Sequence, residues 1–264
     1  MTDLKAKFQQ IDNQLYDLYS NQCLIYDGIL DFDEYFSGKT KIVWILKEPY
    51  DDFDEDGNPI GWELHFRDAL LPKKTIREFS RGSRNTYEPI IYSTYSILNG
   101  FPNSKEMEYI ADKPEMLHSL KNIAYINVKK TAGQTQTPDN VLYQAYLNHK
   151  NLLLEQIELC NPDILIFGNT YKYFENDFGL KQTEFIQNDS LEYATKKNRL
   201  YLRAYHPAQR KASTGYSKWD YIDDIVNTCK LFSEKTKNWN YDWSKPNPNF
   251  KKAFWYSVYE GVIL

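Results

Sequence analysis

Four short apolar segments, each followed at once by polar residues, constrain the fold of this chain most. They are KIVWILKEPYDD from Lys41, NIAYINVKK from Asn122, PDILIFGNT from Pro162 and LYLRAYHPAQRK from Leu200. Their apolar centres are too short, and too rich in β-branched or aromatic residues, for helices, which predicts buried strands of a parallel sheet. Ligands of open α/β sheets bind outside the carboxyl ends of the strands. We therefore expect Glu48, Asn127 and His206 to share one crevice.

The apolar segments alternate with segments of helical periodicity, which predicts an α/β protein. We expect a three-layer α/β/α sandwich around a mainly parallel four-stranded sheet, with strands near residues 42, 123, 164 and 201. The predicted helical segments are a helix, turn and helix over 3–36, mainly helix over 62–100 with a second start near 87–89, and helices over 137–159, after 168 and near 218–233. The predicted organisation is an N-terminal helical segment (1–40), one α/β domain (41–233) and an aromatic-rich tail (234–264) packed on that domain.

Composition narrows the classes of function. The chain lacks an apolar run of about 18 residues and a secretory signal, so we expect a soluble, cytoplasmic monomer without membrane contact. The three cysteines are isolated, which argues against a disulfide framework or a metal site. The formal charge of -4 argues against coating nucleic acid by bulk charge. Local basic patches remain at Lys129, Lys130, Arg210 and Lys211.

Each polar motif alone has an ordinary structural explanation. Glu48 before Pro49 is compatible with a surface or helix-capping carboxylate, and Asn127 with an amide that closes a strand end. His206 is compatible with a hydrogen-bonded loop histidine, and the other three histidines lie in predicted helices, where we expect structural roles. The order and combination of the motifs carry more information than any one of them.

That ordered set resembles the uracil-DNA glycosylase superfamily. Its members carry a first-strand motif of the GQDPYH or GEAPG kind, a strand that ends in Asn, a PDxxxxxG strand and an HPS loop. The corresponding segments here are LKEPYD at 46–51, INVKK at 126–130, PDILIFG at 162–168 and YHPAQRKAS at 205–213. The stretch 56–61 also looks like the acidic Gly-x-Pro-aromatic-x-Gly loop of the iron-sulfur branch. The resemblance covers roughly 41–233.

The resemblance implies hydrolysis of the N-glycosidic bond of a flipped uracil or damaged base in DNA. Glu48 would stabilise the sugar cation and orient water, and His206 would stabilise the departing base. Asn127 would bind the Watson-Crick edge of the base, while Tyr50 would stack on it or block a methyl group. The phosphate-binding residues would be Lys129, Lys130, Arg210 and Lys211.

Departures from the family pattern leave two alternatives open. Leu46, Lys47, Glu48 and Ala208 differ from the residues that the family motifs have there, and the cysteines do not form an iron-sulfur set, so we expect no cofactor. One alternative is a catalytically inactive relative that binds nucleic acid or a nucleotide in the same crevice. The other is an unrelated α/β hydrolase or transferase, against which the absence of GxSxG, GxxxxGKS and GxGxxG motifs argues.

Overall fold

A computed structural model describes residues 2–19, 24–49, 64–133, 137–188, 190–208 and 215–236. They form a mixed α/β fold. Its helices are α1 (Thr2–Leu18), α2 (Phe32–Ser37), α3 (Phe66–Leu70), α4 (Arg81–Leu98), α5 (Asp139–Cys160), α6 (Glu175–Phe178) and α7 (Lys218–Thr236). Its strands are β1 (Ile25–Tyr26), β2 (Gly28–Ile29), β3 (Ile42–Leu46), β4 (Leu64–His65), β5 (Ile123–Asn127), β6 (Ile164–Gly168), β7 (Ile186–Asn188), β8 (Leu191–Lys196) and β9 (Arg199–Ala204). Short 3-10 helices cover Ile76–Glu78, Pro114–Asn122, Tyr171–Tyr173 and Gln182–Glu184.

The chain divides into two compact units, of which the first comprises 1–72 and 121–162. In this unit β3 and β5 pair in parallel, from Ile42 opposite Ile123 to Leu46 opposite Asn127, and every residue of both strands is buried. Strand β2 pairs antiparallel with the other edge of β5, and β1 pairs in parallel with β4 in a separate two-stranded sheet. Helix α1 packs against α5 through an apolar face that includes Ile11 and Leu15.

The second unit comprises 73–120 and 163–264. Strands β6 and β9 pair in parallel, β8 pairs antiparallel with β9, and β7 pairs antiparallel with β8. Helices α4 and α7 pack against each other. Since β6 and β9 are parallel, Gly168 and Ala204 come at the same end of the pair, as their register shows.

The predicted sheet of four strands is corrected to one of seven. All four predicted strands are present, in the parallel pairs β3 with β5 and β6 with β9. The additional strands β2, β7 and β8 are antiparallel to their neighbours. The helix predicted after 168 is present only as a 3-10 turn (Tyr171–Tyr173) and the four-residue α6, and strands β7 and β8 come after it. Lys197 and Asn198 both adopt positive φ and close a two-residue hairpin between β8 and β9. Strand β2 has only two residues, too few for any periodicity.

Two helix starts illustrate the local rules. Helix α5 begins at Asp139 directly after Pro138, close to the predicted start. Helix α4 instead begins at Arg81, because the Ser80 side chain caps its first turn, and Pro89 lies inside the helix rather than at the start of one. Predicted features within 50–63 and 237–264 lie outside the described residues.

Candidate functional site

The carboxyl ends of β3 and β5 carry three of the predicted site residues side by side. Pairing continues past both strands, with hydrogen bonds from Val128 N to Leu46 O (2.8 Å) and from Lys129 N to Lys47 O (2.9 Å). Glu48, Asn127 and Lys129 therefore leave the same edge of the first unit.

Glu48 is paired with Lys129 in a largely buried position. Its Oε2 lies 3.5 Å from Lys129 Nζ, and the two side chains are 9% and 15% exposed. The same ammonium donates to the carbonyl oxygens of Thr131 (2.7 Å) and Ala132 (2.5 Å). Lys129 thus fastens the segment that follows β5 and brings a positive charge to the Glu48 carboxylate.

The Glu48 carboxylate lies directly against Gly133. Gly133 N donates to Pro49 O at 2.9 Å, and a Cβ added at Gly133 would lie 2.1 Å from Glu48 Oε2. Any other residue at this position would collide with the carboxylate. The close approach of Glu48 to the backbone therefore requires glycine here.

Asn127 has a buried amide side chain that finds no hydrogen-bond partner in the described part of the chain. The residue is fully buried, and neither Oδ1 nor Nδ2 has a hydrogen-bond partner among the described residues. Most buried polar atoms of native proteins are hydrogen-bonded, and leaving one unpaired costs roughly 1–3 kcal/mol. An amide with both functions unpaired at the edge where α/β proteins bind ligands is a candidate ligand-binding group.

Lys130 occupies the interior instead of the surface position that we predicted. Lys130 Nζ lies 2.5 Å from Asp27 Oδ1, and both side chains are 1% exposed. The ammonium also donates to Gln156 Oε1 at 2.9 Å. A buried ammonium that already donates hydrogen bonds to two side chains is inaccessible to a DNA phosphate. Lys130 is therefore removed from the predicted phosphate-binding residues.

The remaining predicted residues belong to the second unit or lie outside the described residues. His206 follows β9 in the second unit, is half-buried, and accepts a hydrogen bond at Nδ1 from Ala208 N (3.2 Å). A ring that accepts at Nδ1 keeps Nε2 as the nitrogen that can donate to a departing base. Tyr50, Arg210 and Lys211 lie outside the described residues. A common pocket for His206, Glu48 and Asn127 stays a prediction.

His149 has the structural role that we expected of it. It is buried, and its ring nitrogens bond to the Tyr19 hydroxyl (Nδ1, 2.7 Å) and the Val128 carbonyl (Nε2, 2.8 Å). Burial, together with the charge of Lys130, lowers the pKa of His149 to about 4. The neutral ring therefore donates from Nε2 to Val128 O and accepts the Tyr19 proton at Nδ1.

Sequence reasoning missed Asp27, Gln156 and Asp12. Asp27 and Gln156 surround Lys130, whereas Asp12 lines a surface pocket of the first unit together with Phe8, Phe32 and Arg67. Burial and the neighbouring Asp27 carboxylate raise the pKa of Asp12 to about 6. The only sequence signal was Asp27 before Gly28, a common turn pair.

The described residues contain no group of three or more His, Cys, Asp and Glu side chains arranged to hold a metal ion. Within the same residues, no helix is long and apolar enough to cross a membrane. Comparisons of the sequence with protein-family models and with curated proteins gave no match.

Proposed function

We propose that this protein is a uracil-DNA glycosylase-like enzyme that hydrolyses the N-glycosidic bond of a flipped uracil or damaged base in DNA. The observation that carries the proposal is the buried amide of Asn127, which has no partner among the described residues and follows the same strand edge as Glu48. The ordered set of motifs supports it independently.

The Asn127 amide matches the edge of a pyrimidine base. It offers one acceptor and two donor hydrogens, and uracil presents a carbonyl oxygen next to a ring N–H on its Watson-Crick edge. Each buried polar atom that gains a partner regains about 1–3 kcal/mol. A bound uracil would therefore satisfy both functions of Asn127 at once.

In this proposal Glu48 and His206 stabilise the two charges that develop during the reaction. Breaking the bond between base and deoxyribose develops positive charge on the sugar and negative charge on the base. The Glu48 carboxylate, which lies against Gly133 and is paired with Lys129, would stabilise the cation and orient the attacking water. The His206 Nε2–H donates to the departing base, and water adds to the sugar carbon as the base leaves with the electron pair.

One observation favours a second candidate, a catalytically inactive relative that binds a base or nucleotide. Lys129 lies 3.5 Å from Glu48 Oε2 and brings a positive charge next to the carboxylate. A neighbouring cation reduces the negative field with which Glu48 would stabilise a sugar cation. Base binding through Asn127 is the same in both candidates.

Excision from a fluorescent oligonucleotide with one uracil, followed by alkaline cleavage, tests the proposal. We expect a cleaved strand with the wild type, a loss of roughly a hundredfold or more with Glu48→Gln or His206→Ala, and unchanged cleavage with Glu155→Gln, a matched change at an exposed glutamate of α5. Glu48→Gln should still bind the abasic product, because it keeps size and hydrogen bonding.

Three results separate the candidates. Cleavage that depends on Glu48 supports the enzyme. Binding of the uracil-containing strand without cleavage supports the inactive relative. A wild type that neither cleaves nor binds this strand overturns the proposal.

Contact with DNA is a separate expectation. Lys129 is engaged with Glu48 and two carbonyl oxygens, so the phosphate contacts are expected mainly from Arg210 and Lys211. Replacing both by Ala should reduce the magnitude of the slope of log affinity against log salt by about 0.7 to 0.9 per lost contact. Equal slopes for variant and wild type would remove both residues from the interface.

A further inference from the structure

A single buried carboxylate spans the two ends of the segment that carries Asn127. Asp27 Oδ2 accepts the backbone N–H of Asn127 at 2.7 Å, and Oδ1 accepts Lys130 Nζ at 2.5 Å. The Asp27 and Lys130 side chains are both 1% exposed. Asp27 therefore binds the backbone of Asn127 and, three residues later, the side chain of Lys130.

Gln156 of α5 holds the carboxylate in turn. Its Nε2 donates to Asp27 O (3.0 Å) and to Oδ1 (3.2 Å), while its Oε1 accepts Lys130 Nζ. A Cβ at Gly28 would lie 3.0 Å from Gln156 Nε2, and Gly28 has a φ of +122°. Glycine therefore lets the chain turn from Asp27 into β2 while Gln156 approaches closely.

The carboxylate fills a gap in the backbone pairing beside β5, which resumes where Ile25 N donates to Lys130 O (2.8 Å). The pairing of β2 with β5 runs between Gly28–Ile29 and Ala124–Tyr125, so it stops short of Asn127. The Asn127 N–H would otherwise be a buried donor without a sheet partner. A hydrogen bond to a carboxylate is stronger than one to a neutral acceptor, and it fixes the backbone from which the Asn127 amide projects.

We propose that Asp27 is a positioning residue for base recognition, which sets the orientation of Asn127 through its backbone and is itself held by Lys130 and Gln156. This inference rests on the proposed function. Asp27 does not touch the base. Because a displacement of about 1 Å costs on the order of a hundredfold in a catalytic site, a small shift of the Asn127 backbone is enough to impair recognition.

The test uses a double variant, because the single change at Asp27 would destabilise the fold. Asp27→Asn alone leaves the Lys130 ammonium buried without its counter-ion, which is strongly destabilising. The double variant Asp27→Asn with Lys130→Met removes both charges, keeps similar volumes and retains a neutral acceptor for Asn127 N. Asp17→Asn, at an exposed position of α1, is the matched control.

The measurement is the preference for uracil over cytosine, from the binding of each free base by calorimetry. These bases differ on the edge that Asn127 would bind, and a ratio of affinities does not depend on how much of the sample is folded. We expect the double variant to lose the preference by tenfold or more, with binding of both bases retained at reduced strength, and Asp17→Asn to match the wild type.

Two results would overturn the inference and are distinguishable. A folded double variant with the wild-type preference removes the positioning role of Asp27 and leaves the proposed function standing. A wild type that binds neither base overturns the inference, and the proposed function falls with it only if the uracil-containing strand is also neither cleaved nor bound.

Discussion

At the scale of single residues, the site depends on a glycine that lets a carboxylate approach the backbone closely. Gly133 lets the Glu48 carboxylate lie where a Cβ would otherwise be, and Lys129 accompanies that charge at 3.5 Å. Glu48 therefore has a defined position although it follows the end of a strand. Two residue-scale predictions test how such carboxylates are held.

Gly133→Ala should displace the Glu48 carboxylate, because the new methyl group would lie 2.1 Å from Oε2. We expect a loss of excision on the order of a hundredfold with little change in the free energy of unfolding, because only the flexible end of the Glu48 side chain has to move. Gly82→Ala is the control, because a Cβ there meets only Ser80 Oγ at 4.0 Å. Wild-type activity in Gly133→Ala would show that catalysis does not need Glu48 at this place.

Asp12→Asn should stabilise the protein at neutral pH. Burial and Asp27 raise the pKa of Asp12 from 3.8 to about 6, so ionisation opposes folding as the pH rises through that window. The gain should be on the order of 1–3 kcal/mol above pH 6 and should vanish below about pH 4. Urea unfolding across this range measures it, with the exposed Asp17→Asn as control. A gain that does not depend on pH would contradict the cause given.

At the scale of secondary-structure elements, a hydrogen-bonded chain connects α1, α5 and the end of β5. The Tyr19 hydroxyl donates to His149 Nδ1, and His149 Nε2–H donates to Val128 O. His149 departs from helical geometry (φ -136°, ψ 22°), so α5 is kinked at the residue that makes both bonds. The kink lies beside the segment that carries Asn127.

Tyr19→Phe removes the hydroxyl and leaves His149 Nδ1 buried without its donor. We expect a loss of about 1–3 kcal/mol in the free energy of unfolding, measured by urea denaturation. Tyr16→Phe, in which the tyrosine is 51% exposed, should change it by less than about 0.5 kcal/mol. Equal effects of the two changes would show that the bond to His149 does not stabilise the fold.

The same histidine makes the protein sensitive to acid. Its pKa is lowered from 6.5 to about 4, so the unfolded chain takes up the proton first as the pH falls. This contribution to stability is present above about pH 6.5 and is lost towards pH 4, by up to roughly 3 kcal/mol. In Asp12→Asn, which removes the opposing carboxyl, the acid-induced loss should appear more steeply in urea titrations. A flat profile of the Asp12→Asn variant between pH 6.5 and 4 would contradict it, because only in the wild type does protonation of Asp12 offset the loss.

At the scale of the whole molecule, the buried strands were the predictable part. Segments such as Ile42–Leu46 and Ile164–Gly168 are continuous apolar runs that only a buried strand accommodates at that length. The antiparallel strands were not predictable, because β2 is two residues long and β8 depends on a Lys197–Asn198 turn with a weak sequence signal. Glu48 and Asn127 followed from strand ends, whereas Asp27 and Gln156 come together only through the fold.

The central claim is that the Asn127 amide binds a pyrimidine base. Its most direct test is a titration of free uracil into ¹⁵N-labelled protein, following the Asn127 side-chain amide resonances assigned with Asn127→Asp. We predict a saturable shift of these resonances and a loss of at least tenfold in uracil affinity in Asn127→Ala, which removes both hydrogen-bonding functions. Resonances that stay in place at saturating uracil, or an affinity unchanged in Asn127→Ala, would contradict the account.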